Sequence, residues 1–334
     1  MKKTIFTAFA LGAMVLTGCT KVETVDVPES RAIAFDNFVT NSVKSLNTEG
    51  TDFTSFFVYG GFEGEYKLFD NREVKYEEVN GTPGWYYQDN EYWMDGQTYN
   101  FAAYSYENGT ISNISWNTAY THLIIPVENV DGTKDLIYAY ESNLRGPGTV
   151  TFDFHHILSR VTFEFTKDAT LNGTDILISD LKITSVNNSG KFEGKDLTDG
   201  QYPYDVWTEQ TGTYSQSFEN SVSMSLTDDA LVLTTDYEYL IPQSAGADVL
   251  EVTFTLTPSG KITEAPYNKT EAINCKVQLP ATTDNQWNPG YTYVYTATIT
   301  PGNFDLEPIV FDVNVINNWE DNSDVDFQDD IQVE

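Results

Sequence analysis

Two cysteines, Cys19 and Cys275, are all that 334 residues contain. The chain is long enough for about two domains that each bury a core without disulfide staples. Basic residues are scarce too: 18 Lys and Arg stand against 50 Asp and Glu, a formal net charge of -32. Binding to a nucleic-acid backbone rests on Lys and Arg neutralising phosphates, so nucleic acid is excluded as a partner. The only histidines are His122, His155 and His156. Neighbours in a strand point to opposite faces, so His155 and His156 do not converge on one metal without a local turn. Motifs for phosphate cradling, zincin chemistry and the serine nucleophile elbow are missing. Carboxylates are abundant, but abundance does not place two of them at a glycosidase separation. The Asp131 to Asp135 turn lacks the full spacing of a calcium loop. No enzyme and no cofactor or metal is expected.

What is present begins at the N-terminus. Met1-Lys2-Lys3 is positive, Ile5 to Val15 is apolar, and Leu16-Thr17-Gly18-Cys19 closes the run with small residues and a cysteine. The run is shorter than the ~20 apolar residues of a membrane span and has the layout of an export signal. Leu-Thr-Gly-Cys resembles a bacterial lipobox, whose cysteine is acylated and becomes the new terminus. Residues 1–18 are then a lipoprotein signal peptide, and Cys19 carries two or three acyl chains such as palmitate, enough for stable anchoring. Cys275 has no partner left. It shares the apolar face of Ile273 to Leu279 and is expected to be a buried core thiol.

Residues 19–31 form a tether or propeptide, poor in apolar side chains and containing Pro28. Arginine is confined to Arg31, Arg72, Arg145 and Arg160. Arg31, just before strand-like Ala32 to Phe35, is either a processing site in exposed linker or a chance arginine. From 32 to 147, short apolar and aromatic strands alternate with turns such as Asn80-Gly81 and Asp95-Gly96. The aromatic stretch from Trp85 to Trp93 has two readings, sandwich packing or a stacking platform for sugars. Gly146-Pro147-Gly148 marks the expected domain boundary.

From 148 to 319 the period-two pattern is cleaner. Val161, Phe163 and Phe165 share a face, as do Val222, Met224 and Leu226, then Val252, Phe254 and Leu256, then Tyr291 through Ile299 at odd positions. Strands with one buried and one wet face, joined by turns, make an antiparallel β-sandwich. The last strand is expected over Ile309 to Ile316. Residues 320–334 hold seven acidic residues and no basic one, yet Val325, Phe327, Ile331 and Val333 all fall on odd positions, with Asp329 breaking the face. That tail is either solvated and acidic or a donor strand for another subunit's groove.

Phe56-Phe57-Val58-Tyr59, Tyr99 to Tyr104, Asp135 to Ala139, Phe154 to Val161, Leu240-Ile241-Pro242-Gln243, Gly290 to Tyr293 and Val315 to Trp319, in this order and with the lipobox ahead of them, resemble the fimbrillin superfamily of type V pilus subunits. The resemblance implies an all-β chain of two tandem transthyretin-like antiparallel β-sandwich domains. It implies a lipid-anchored, surface-exposed protein of the cell outer membrane that enters a fimbrium. It also implies Arg-specific cleavage between Arg31 and Ala32, opening a groove that a neighbour's C-terminal strand fills by donor-strand exchange. The expected partners are other pilin subunits, the outer membrane through the lipid, and a host or bacterial surface ligand in cell adhesion. The alternative is a surface glycan-binding lipoprotein of a polysaccharide-uptake system.

Overall fold

The computed structural model describes residues 31–39, 54–107, 109–195, 202–212, 214–218, 224–227, 232–260, 262, 271–305 and 307–317. The first nine strands are β1 (Ala34–Val39), β2 (Ser55–Phe62), β3 (Glu65–Val79), β4 (Thr82–Tyr86), β5 (Tyr99–Ser105), β6 (Ser115–Trp116), β7 (Leu123–Val127), β8 (Ile137–Leu144) and β9 (Thr149–His156). There follow β10 (Ser159–Lys167), β11 (Ile176–Val186), β12 (Ser189–Glu193), β13 (Trp207–Thr211), β14 (Tyr214–Ser217) and β15 (Met224–Leu226). The last six are β16 (Val232–Thr234), β17 (Glu238–Leu240), β18 (Glu251–Pro258), β19 (Ile273–Gln278), β20 (Tyr291–Ile299) and β21 (Asp312–Asn317). The expected all-β class is what is found.

The second half is the simpler. Val161, Phe163 and Phe165 of β10 point inward, as do Val252, Phe254 and Leu256 of β18 and Tyr293, Tyr295, Ala297 and Ile299 of β20. A sheet ordered β16-β10-β20-β21 packs against one ordered β14-β11-β18-β19, with β17 joined to β10 and β15 to β11. Their inner faces meet in one core around the fully buried Trp287, whose indole N–H donates to the Tyr295 hydroxyl at 3.0 Å. Each buried apolar side chain of this size contributes about 1.5–3 kcal/mol by leaving water. Not every neighbour is antiparallel, since β10 runs parallel to β20.

The first half is built on a seven-stranded sheet ordered β1-β9-β8-β5-β2-β3-β4. It curls until β4 lies against β1. Its inner face is filled by Phe35, Phe56, Phe69, Phe101, Phe152 and Phe154, all buried. Its outer face presents Tyr59, Ala102, Tyr104 and Tyr138 to a second, four-stranded sheet ordered β13-β12-β7-β6.

The sheets do not divide at residue 147. Gly146-Pro147 sits in the short connection between β8 and β9, and β9 completes the first sheet. Turn residues punctuate a hairpin and a domain linker alike, so the Gly-Pro-Gly signal falls one strand early. β12 and β13 also return to the first half, where β12 pairs with β7 and β13 with β12. The crossover between halves is Ile157-Leu158, fully buried and held by the Trp207 indole N–H to the Ile157 carbonyl at 2.8 Å. A second tie joins the Asp131 turn to β17, Tyr239 N–H donating to the Gly132 carbonyl at 2.8 Å. Gly132 adopts φ +88°, and a β-carbon there would collide with the Glu238 carboxylate. Only glycine suits that position.

Candidate assembly and processing site

Of the expected site residues, Cys19 and the donor set Val325, Phe327, Ile331 and Val333 lie outside the described residues. Arg31 and Ala32 are described. They do not form an exposed, unpaired linker. The Arg31 carbonyl accepts from Trp93 N–H at 3.0 Å, and Ile33 N–H donates to the Glu91 carbonyl at 2.8 Å, so backbone on both sides of the Arg31–Ala32 bond is paired. The Arg31 guanidinium grips Asp95 with two nitrogens, at 2.6 and 3.1 Å, and spends a further hydrogen bond on the Trp93 carbonyl at 3.1 Å. The hydrogen bonds from Arg31 and its charge hold the Asp95 carboxyl below the usual carboxylate range, and the carboxylate in turn raises the arginine. Asp95-Gly96 was legible as a turn; its role as the arginine's seat was not, because sequence distance carries no sign of it.

Arg31 thus anchors the chain at the start of β1. From there β1 runs parallel to β9, with Phe35 opposite Val150 and Asn37 opposite Phe152. Phe35 occupies a slot of aromatic rings: Phe69 at 5.2 Å, Tyr87 at 5.6 Å, Phe152 at 5.7 Å and Phe101 at 5.8 Å between centroids. The Tyr87 hydroxyl reaches over to donate to the Ile33 carbonyl at 2.7 Å. Two residues on, the strand carries a fault. Asn37 is 7 % exposed, and neither its side-chain oxygen nor its nitrogen has a hydrogen-bond partner among the described residues. Leaving buried polar groups unmatched costs about 1–3 kcal/mol. β1 is therefore held at one end by an ion pair and in the middle by a phenylalanine, and carries between β1 and the core the desolvation cost of one buried amide.

The aromatic stretch resolves toward packing. Trp93 is 4 % exposed, with its indole N–H on the Gly148 carbonyl at 3.0 Å, and Tyr87 lies against Phe35 and Phe69. His155 and His156 face opposite ways as expected. His155 Nε2 lies 3.5 Å from Asp153, and His156 Nδ1 lies 2.7 Å from Asp135 on the other side of the strand. Among the described residues no group of three or more His, Cys, Asp or Glu is placed to hold a metal. Asp131 takes hydrogen bonds from Thr133 instead, through its amide at 3.1 Å and its hydroxyl at 2.8 Å. Cys275 is half-buried rather than buried, on the inward face of edge strand β19. Burial still pushes its thiol up to about 11.

Comparison with known proteins places these observations. The sequence profile of the fimbrillin-like family matches residues 39–319. No curated protein sequence matches the chain. Among solved structures, a candidate cell adhesion protein of Bacteroides uniformis aligns with a TM-score of 0.53 at 16% identity, over 87% of this chain and 99% of its own. One of Bacteroides ovatus aligns with a TM-score of 0.51 at 16% identity, over 86% of this chain and 98% of its own. At such identities the likeness is one of fold.

Proposed function

This chain belongs to the fimbrillin-like family, and from that premise we propose that it is a surface-exposed lipoprotein subunit of a fimbrium that contributes to adhesion. It is exported, anchored to the outer membrane through acylated Cys19, cut between Arg31 and Ala32, and joined to other pilin subunits by donor-strand exchange through Val325, Phe327, Ile331 and Val333.

The observation that supports this reading is the way β1 is held. A cut after Arg31 leaves β1 in the fold, since the strand begins at Ala34. What departs is the lipid tether together with the clamp: the Asp95 ion pair and the Trp93 hydrogen bonds belong to Arg31 and leave with it. Cleavage then does two things at once. It releases the subunit from the membrane, and it loosens the leading end of a strand already weakened by Asn37. An incoming apolar strand pairs with β9 and fills the Phe35 slot, satisfying edge groups and burying its alternate side chains. Because protease sites must open before they are cut, the paired backbone at 31–33 keeps the unprocessed subunit intact until that segment frays.

The test is a pair of variants in the full chain, Arg31→Ala and a deletion of residues 325–334, each treated with an Arg-specific protease and resolved on denaturing gels without boiling. High-mass ladders from the wild-type chain alone support the proposal. Ladders formed equally by the deletion variant overturn the donor assignment, and ladders formed by uncleaved Arg31→Ala overturn the processing step.

A further inference from the structure

The outer face of the first sheet carries a feature that strand exchange does not use. On β8 and β9, beside the rim of the four-stranded sheet, lies a cavity of about 310 Å³ lined by Tyr140, Glu141, Ser142, Asp153, His155, Lys195 and Tyr202. That is the lower end of the volume range of small-molecule sites, about 300–1,000 Å³. Its back wall is fixed. His155 is 7 % and Tyr202 5 % exposed, their rings edge to face at 6.1 Å, and Tyr202 is packed in turn on Tyr138 at 5.9 Å. Its mouth is open, with Glu141 and Asp153 close enough to repel each other and Lys195 beside them, its ammonium paired with Glu193 at 3.2 Å.

Tyr140 belongs both to this cavity and to a row of aromatic rings that leads away from it. Trp116 lies 6.5 Å from Tyr140, Tyr120 lies 6.4 Å from Trp116, and Tyr66 stacks on Tyr120 at 4.0 Å with planes 8° apart. Tyr120 is 38% exposed at the outer end. The four side chains come from β3, β6, the turn after β6, and β8, so only the fold assembles them. Tyr120 is the exposed ring of this row, and Tyr66, Trp116 and Tyr140 are half-buried.

We infer that this cleft and its aromatic row bind a neutral oligosaccharide, one sugar ring seated in the cavity and the following rings laid along Trp116 and Tyr120. The chemistry of the lining selects that class. A pyranose offers axial C–H groups to an aromatic face and several O–H donors around its edge. Tyr140 supplies the face, while Glu141 and Asp153 accept from neighbouring hydroxyls with charge-assisted strength. Ser142 and the ring nitrogen of His155 complete a set that both donates and accepts. With the Lys195 charge taken up by Glu193, the same two carboxylates, on a chain of net charge -32, reject uronic, sialic and sulfated sugars by like-charge repulsion. The site is complete in one subunit, so binding is independent of cleavage at Arg31 and of polymerisation.

The experiment is calorimetric titration of the uncleaved full chain with three probes, cellotriose, chitotriose and tri-galacturonate, alongside saturation-transfer NMR on the same mixtures. Binding of at least one neutral trisaccharide is expected, with tri-galacturonate roughly tenfold weaker or silent. Glu141→Gln keeps the side-chain shape and is expected to weaken the neutral ligand about tenfold, as is Tyr140→Ala. Tyr76→Ala, an exposed ring on β3 away from the cleft, leaves affinity unchanged. Circular dichroism of each variant separates lost binding from lost folding, and Glu141→Gln decides the matter should Tyr140→Ala unfold. No neutral trisaccharide bound at millimolar concentration, equal affinity for tri-galacturonate, or affinity untouched by Glu141→Gln each overturns the inference. A chain that polymerises but binds no sugar leaves the fimbrial proposal standing, and one that binds sugar but does not polymerise leaves this one.

Discussion

Arg31 and Asp95 form a two-point ion pair, Nη2 to Oδ1 at 2.6 Å and Nη1 to Oδ2 at 3.1 Å, across 64 residues of sequence. The pair sits on the one peptide bond at which the subunit is proposed to be cut. Its position matters more than its strength, since exposed ion pairs stabilise folds little.

Removing the acidic partner is therefore expected to change cleavage and not stability. Asp95→Asn should let an Arg-specific protease produce the Ala32 terminus several-fold faster, with the melting temperature unchanged. Asp70→Asn, which breaks the Lys67 pair elsewhere on the sheet, is the control and should leave the rate alone. N-terminal appearance followed by mass spectrometry checks both. Equal rates in wild type and Asp95→Asn would contradict the clamp.

Asn37 offers the opposite lever. Replacing a buried amide that has no partner among the described residues with an apolar side chain of like size removes a desolvation cost of about 1–3 kcal/mol. Asn37→Leu is expected to raise unfolding stability by about 1 kcal/mol in a denaturant titration. On the strand-exchange account it also slows polymer growth after cleavage, because β1 becomes harder to displace.

Much of the second half was legible before any coordinates. Val161, Phe163 and Phe165, or Val252, Phe254 and Leu256, declare a half-buried strand because their period matches the pleat. The first half was harder to read for a physical reason. Its sheet is covered on both sides, by its own curl on one face and by β6, β7, β12 and β13 on the other, so alternation is blurred where both faces are apolar. β13, Trp207–Thr211, is mostly polar and gave no sign that β12 and β13 return to close the first half. The aromatic row was invisible for a different reason: Tyr66, Trp116, Tyr120 and Tyr140 are far apart in the chain, and no local pattern records that β3, β6 and β8 bring them together.

Acidification acts through His155. Burial lowers its pKa from the ordinary 6.5, against the opposing pull of Asp153 and with a smaller push from His156. Below pH 6.5 the unfolded chain then holds a proton that the native one resists, so stability is full above that value and falls as the pH drops toward the folded pKa. Denaturant midpoints measured from pH 7.5 to 5 should decline. His155→Gln, facing the same Asp153 and Tyr202, should flatten that part of the curve.

Cys275 is expected to be chemically quiet. With its thiol pushed up to about 11 by burial, little thiolate exists at neutral pH. The native chain should resist iodoacetamide at pH 7.5 and react fully once unfolded, as read by intact mass. Rapid native labelling would show that β19 opens at the sheet edge.

The most direct test of the whole account is the intact mass of the protein from its native outer membrane, taken before and after limited digestion with an Arg-specific protease. The account predicts a lipidated chain beginning at Cys19 that becomes a chain beginning at Ala32, with high-mass oligomers appearing on cleavage. A chain that still begins at Cys19, resists the protease at Arg31 and stays monomeric would contradict it.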